Sequence, residues 1–160
     1  MNRIDYDREA ATAYAVKWAL GRNPAYYSFD KIGGDCTNFA SQCLYAGSGV
    51  MNDTPVTGWY YHSAGDRTAS WTGVDYLYRF LTRNRGAGPS GAAVNRREIL
   101  PGDLVQLGGP DGRYYHTPVV LATEGREVFV AAHDLDALWR PLSSYVYRSV
   151  RYIHITDVRR

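Results

Sequence analysis

The chain has 160 residues, enough for a single domain over 1–160 that buries a real core. With 21% charged and 45% hydrophobic residues it reads as globular rather than disordered. The balance of 18 Lys and Arg against 16 Asp and Glu leaves +2, so nothing in the charge points to nucleic acid or an anionic membrane as partner. Two cysteines exclude a disulfide framework and a four-cysteine zinc site. No apolar run approaches the roughly 18 residues of a membrane span. The N-terminus carries charges where a secretory signal would be apolar, which implies a cytoplasmic protein or one whose leader lies outside this sequence.

Residues 5–20 place Ala10, Ala11, Tyr14 and Trp18 at helical spacing, closed by Gly21. A turn around Pro24 and the pair Gly33-Gly34 lead into a second helix over 35–46, stopped by Gly47, with Phe39, Ala40, Cys43 and Leu44 as its apolar stripe. Residues 48–70 read as a surface excursion, 72–83 as a third helix and 84–95 as a Gly/Ala/Pro-rich loop. From there the period changes to two, and 103–108, 116–123, 127–133 and 150–155 read as strands. Helices first and strands afterwards predict an α+β fold with an antiparallel sheet.

Cys36 carries the most chemical information. With Asp35 as helix cap it falls in the first helical turn, where free N–H groups and the helix dipole favour a thiolate by about 0.3–1 kcal/mol. That is less than one pKa unit, so a neighbouring imidazole must supply the remaining activation. Cys43 lies seven residues on, about 10.5 Å along the helix, too far for a disulfide, and reads as a small buried apolar residue.

A two-residue Glu124-Gly125 turn pairs Thr123 with Arg126 and, counting outward, sets His116 opposite His133 on one sheet face. Two facing imidazoles suit a thiol enzyme, one moving the proton and the other orienting the first. Cys36, His116 and His133 as zinc ligands, or two histidines merely on a sheet surface, are the alternatives. Strand alternation turns Asp134 to the opposite face, and Asp136 lies beyond the strand as a weaker orienting group.

The run Gly33-Gly34-Asp35-Cys36-Thr37-Asn38-Phe39-Ala40-Ser41-Gln42-Cys43-Leu44 resembles the bacterial putative amidase domain family, grouped with papain-like thiol hydrolases and CHAP-type cell-wall amidases. The resemblance continues through Leu100-Pro101-Gly102-Asp103-Leu104-Val105, His116-Thr117-Pro118 and Ala131-Ala132-His133-Asp134. It implies a papain-like fold with the cysteine helix packed on the sheet. It also implies Cys36 as nucleophile, His116 as general base and acid, His133 as orienting group, a thioester intermediate, and no metal or other cofactor. No glutamine precedes Cys36, so the papain oxyanion donor has no counterpart. Asp35, Tyr26, Tyr27 and Asn38 are the substrate or oxyanion candidates. Trp59 and Trp71 are candidates for gripping a peptide or amide substrate, peptidoglycan fragments included, unless they roof the core. His62 and His154 read as surface and structural residues. A non-catalytic peptide- or glycan-binding module and an amine-accepting acyltransferase are the competing functions.

Overall fold

Period-two alternation in the second half of the chain builds a two-faced antiparallel sheet in the computed structural model, which describes residues 1–160. The elements are β1 (Arg3–Ile4), α1 (Arg8–Trp18), α2 (Cys36–Ser48), β2 (Tyr61–Ser63), β3 (Asp66–Arg67), α3 (Ala69–Thr72) and α4 (Val74–Arg83). They are followed by β4 (Gly88–Val94), β5 (Leu104–Gly108), β6 (Tyr114–His116), β7 (Val119–Glu124), β8 (Glu127–Ala132), β9 (Ala137–Pro141) and β10 (Ser149–Arg159). Strands β1, β10, β5, β7, β8 and β9 lie side by side in that order, with β4 also on β10 and β6 also on β5. Register breaks on β10, β7 and β8 curl the sheet. The architecture is α+β, as expected from the sequence.

The two sheet faces bury different sets of residues. Leu104, Val119, Leu121, Ala131, Ile153 and Ile155 join Ala15 of α1 and Phe39, Ala40, Cys43 and Leu44 of α2 in the larger core. Their sequence neighbours Val105, Val120 and Val130 point the other way and close on Ile99 and Leu142. Cys43 is fully buried in the first cluster, the inert role its spacing predicts.

The helices differ from expectation at their ends. Helix α1 starts at Arg8 because the Asp7 carboxylate accepts the Ala10 N–H at 2.9 Å. Helix α2 runs through Gly47 to a left-handed Gly49. A Cβ at Gly47 would sit 2.8 Å from the Asp7 carbonyl oxygen, so this glycine serves close packing rather than termination. The helix expected over 72–83 is α4, which starts at Val74 after Gly73, with the short α3 ahead of it.

Two stretches that composition marks as loops carry structure. Residues 88–94 form β4, whose small side chains fit between β10 and α4; a Cβ at Gly91 would lie 3.1 Å from Ile153 Cγ2 and 3.5 Å from Leu81 Cβ. The 48–70 excursion holds the β2–β3 hairpin and an Asn52–Trp59 bridge that drives Trp59 into the core.

The Pro101-Gly102-Asp103 run is a structural node. Asp103 is fully buried and accepts hydrogen bonds from the Leu100 and Ile155 amides, from Arg8 at 2.7 Å and from His154 at 2.8 Å. It ties the start of α1 to β5 and β10, and gives His154 the structural place expected of it.

Candidate functional site

Helix α2 aims its N-terminus at the sheet, and Cys36, 5% exposed, sits in its first turn. The position is fixed from the adjacent residue: Thr37 Oγ1 lies 3.0 Å from Thr117 Oγ1, and Thr117 immediately follows His116. Cys36 Sγ, a His116 ring nitrogen and an Asp134 carboxylate oxygen all lie within 4.8 Å of one another. The thiol and the imidazole that the sequence nominates are thus brought together.

His133 is not brought to His116. The turn falls one residue later than expected, on Gly125-Arg126, so Glu124 pairs with Glu127. A bulge between Val120 and Ala122 then brings Val119 opposite Ala131. A slip of one residue moves a side chain to the other face. His133 accordingly stacks on Phe39, with ring centroids 4.1 Å apart, and hydrogen-bonds from Nδ1 to Asp35 Oδ2 at 2.5 Å. Its Nε2 lies 2.9 Å from the Trp18 carbonyl oxygen and 3.1 Å from Arg22 Nη1. Asp136 does not orient either histidine; it forms a paired salt bridge with Arg22 at 2.9 Å.

Asp35 occupies the cap position of α2 without capping it. Its carboxylate turns inward to His133, the Phe29 amide and Asn38 Nδ2. The cap comes from Asp134 instead, whose oxygens accept the Asp35 N–H at 2.8 Å and the Cys36 N–H at 3.2 Å. Strand β8 ends at Ala132, and left-handed backbone at Asp134 and Leu135 swings this carboxylate onto the helix end. Gly34 makes room for it: a Cβ there would sit 2.5 Å from Asp134 Oδ2. Sequence reasoning places Asp134 on the opposite face because it carries strand alternation two residues past the end of β8. The sequence carries no other signal for this contact.

The electrostatics favour a neutral resting pair. Burial, reinforced by the Asp134 charge, pushes the Cys36 thiol up to about 12. Burial pulls His116 down to about 4, against the opposing pull of Asp134. The dipole gain expected at a helix start is outweighed by burial of the thiol, to which the carboxylate at that end adds.

The other candidates are engaged elsewhere. Asn38 is buried between the Tyr27 carbonyl, Asp35 and Trp71 Nε1. Trp59 and Trp71 are fully buried, with Nε1 of Trp59 donating to Ser41 and that of Trp71 to Asn38. They belong to the core and line no cleft. Tyr26 packs on Tyr61 and Trp71, and Tyr27 donates its amide to the Tyr61 hydroxyl. Sequence reasoning passes over Tyr145, whose ring packs 5.5 Å from that of His116 and whose buried hydroxyl has no hydrogen-bond partner. Beside the site, Tyr114, Tyr115, Val146 and Tyr147 help to line a cavity of about 640 Å³, and the Tyr115 carbonyl oxygen lies 3.8 Å from Cys36 Sγ.

Comparison with known proteins agrees with the resemblance carried by the cysteine motif. The family model described as Putative amidase domain matches residues 5–156. The chain is 34% identical over 165 residues to Uncharacterized protein YhbB of Bacillus subtilis (strain 168), a match covering 96% of this chain and 51% of that protein. The chain therefore spans about half the length of this curated relative. No solved structure matches.

Proposed function

This chain belongs to the putative amidase domain family, and from the Cys36–His116 juxtaposition we propose that it hydrolyses amide bonds through a thiol nucleophile. A helix-borne thiol facing a strand-borne imidazole over an antiparallel sheet supports a papain-like layout. His116 removes the Cys36 proton as sulfur attacks the carbonyl carbon, and the charge passes to the carbonyl oxygen. The imidazolium then protonates the amine, the C–N bond breaks and a thioester remains. Water, losing a proton to His116, attacks the thioester; the acid leaves and the thiol is restored.

A neutral pair is a workable start because proton transfer and attack can occur together. Asp134 favours the imidazolium that forms, since its charge raises the His116 pKa. The Cys36 N–H is the natural donor to the oxyanion, and it becomes available when Asp134 Oδ2 releases it. His133 acts on neither proton; through Asp35 it holds the segment that begins the cysteine helix.

The cavity beside Tyr115, with its tyrosine rings, suits a peptide, and peptidoglycan fragments are the natural first substrates to try. The single observation behind this reading is the approach of thiol and imidazole within 4.8 Å. Sacculus fragments and simple peptide amides should release free amine with the natural chain. Cys36→Ala should lose this activity with an unchanged circular dichroism spectrum. Persistence of the activity in that variant would refute a thiol mechanism.

A further inference from the structure

We propose that Cys36, His116 and Asp134 also form a binding site for a soft divalent cation of the zinc class, and that an occupied site masks the thiol. One sulfur, one imidazole nitrogen and one carboxylate oxygen within 4.8 Å of one another make a donor set that zinc takes. Tetrahedral zinc, at about 2.3 Å from sulfur and 2.0–2.1 Å from nitrogen and oxygen, sets its ligand atoms roughly 3.3–3.7 Å apart. From separations of up to 4.8 Å, the ligand atoms would therefore close by at most about 1–1.5 Å. Asp134, on the β8–β9 turn beside the exposed Leu135, is the ligand that would make this movement in the proposed site.

Two further features favour a cation. The His116 ring is 5% exposed, and neither nitrogen makes a hydrogen bond, so its lone pair is free beside the sulfur. The Asp134 carboxylate is already oriented by the Asp35 and Cys36 amides, the kind of outer support that metal ligands use. On binding, the thiol proton leaves to solvent and the sulfur–metal bond takes its place; nothing is oxidised or reduced. Three protein ligands leave a fourth position for water, yet the nucleophile is itself one of them, so cation binding and amide attack exclude each other. This set also replaces the Cys36, His116 and His133 trio that the sequence offers as zinc ligands, because His133 is committed to Asp35.

The binding itself does not rest on the amidase reading, and the test reads it without turnover. The full chain is alkylated with iodoacetamide, with and without Zn²⁺, and labelling at Cys36 and Cys43 is followed by mass spectrometry. Zn²⁺ should slow labelling of Cys36 at least about tenfold, reversed by chelator. Separately, Co²⁺ should give a thiolate charge-transfer band that is absent in Cys36→Ala. Outer partners alone are worth about 10–100-fold in affinity, so losing a direct ligand in His116→Ala or Asp134→Asn should weaken cobalt binding by at least about 100-fold. His62→Ala, altering an exposed imidazole between Asp53 and Asp66, should leave it unchanged. If either ligand variant unfolds, the other carries the test, with folding checked by circular dichroism. Unslowed alkylation at millimolar Zn²⁺, or a cobalt band that survives both ligand variants, would overturn the proposal. Cobalt binding with no amide hydrolysis would uphold the site and count only against the amidase reading.

Discussion

Thr37 and Thr117 touch through their hydroxyls at 3.0 Å, and each directly follows one member of the thiol–imidazole pair. Both are buried, and Gln106 Nε2 adds a longer bond to Thr117 while donating to the Val74 carbonyl at 2.9 Å. The contact joins the start of α2 to the end of β6 and sets the spacing of Cys36 and His116. Thr117→Val leaves the Thr37 hydroxyl short of a partner, which costs about 1–3 kcal/mol. Turnover should fall more than tenfold while the fold persists. The double valine variant should lose less stability than the two single losses added, a coupling readable by urea denaturation.

Acid should weaken the fold through His116. Its pKa drops from 6.5 unfolded to about 4 folded, so only the unfolded chain takes up this proton between those values. The contribution is fully present above about 6.5 and is lost as pH falls toward 4, amounting to roughly 3–3.5 kcal/mol at most. His116→Gln should flatten the pH dependence of the urea midpoint over that window. In the natural chain, the acid limb of kcat/KM should lie nearer 4 than 6.5. A limb at 6.5 would mean that the imidazole is not buried in the free enzyme.

Asp134→Asn removes the negative charge beside the sulfur and keeps an oxygen for the helix-end amides. Since that charge raises the Cys36 pKa, its loss should lower it, and iodoacetamide should label Cys36 faster at a given alkaline pH. The His116 pKa should fall as well, because the same charge raises it. Cys43, fully buried and with its pKa also raised by burial, should remain the slower thiol in both chains. An unchanged Cys36 rate would show that the carboxylate is not beside the thiol in solution.

His133→Ala should act mainly on stability. It leaves the buried Asp35 carboxylate without its closest hydrogen-bond partner, a loss that typically costs about 1–3 kcal/mol. Arg22, 3.7 Å from Asp35, should recover part of this. A urea midpoint unchanged by the substitution would remove His133 from the structural role described here.

Cys36 and His116 are readable from sequence because each lies in a local pattern: a Gly-Gly-Asp helix start and a histidine before Thr-Pro, which the structure places at the end of β6 rather than at a strand entry. The His133 pairing is not readable, since it depends on a one-residue shift of the turn and on the bulge between Val120 and Ala122, and a period-two count anticipates neither. Asp134 is hidden for a similar reason. Alternation assumes extended backbone, whereas positive φ at Asp134 and Leu135 turns the carboxylate around. Strand β4 escapes because glycine, alanine and proline resemble a linker until β10 is placed beside them.

The helix that presents the sulfur takes its terminal cap from a residue 98 positions downstream of Cys36. During synthesis, an emerging chain that has not reached the β8–β9 turn holds Cys36 and His116 but lacks the carboxylate that caps the cysteine helix. The cluster of sulfur, imidazole and carboxylate is completed late, once the β8–β9 turn has docked, and a fragment ending before that turn would carry the cysteine motif without the cap of its helix.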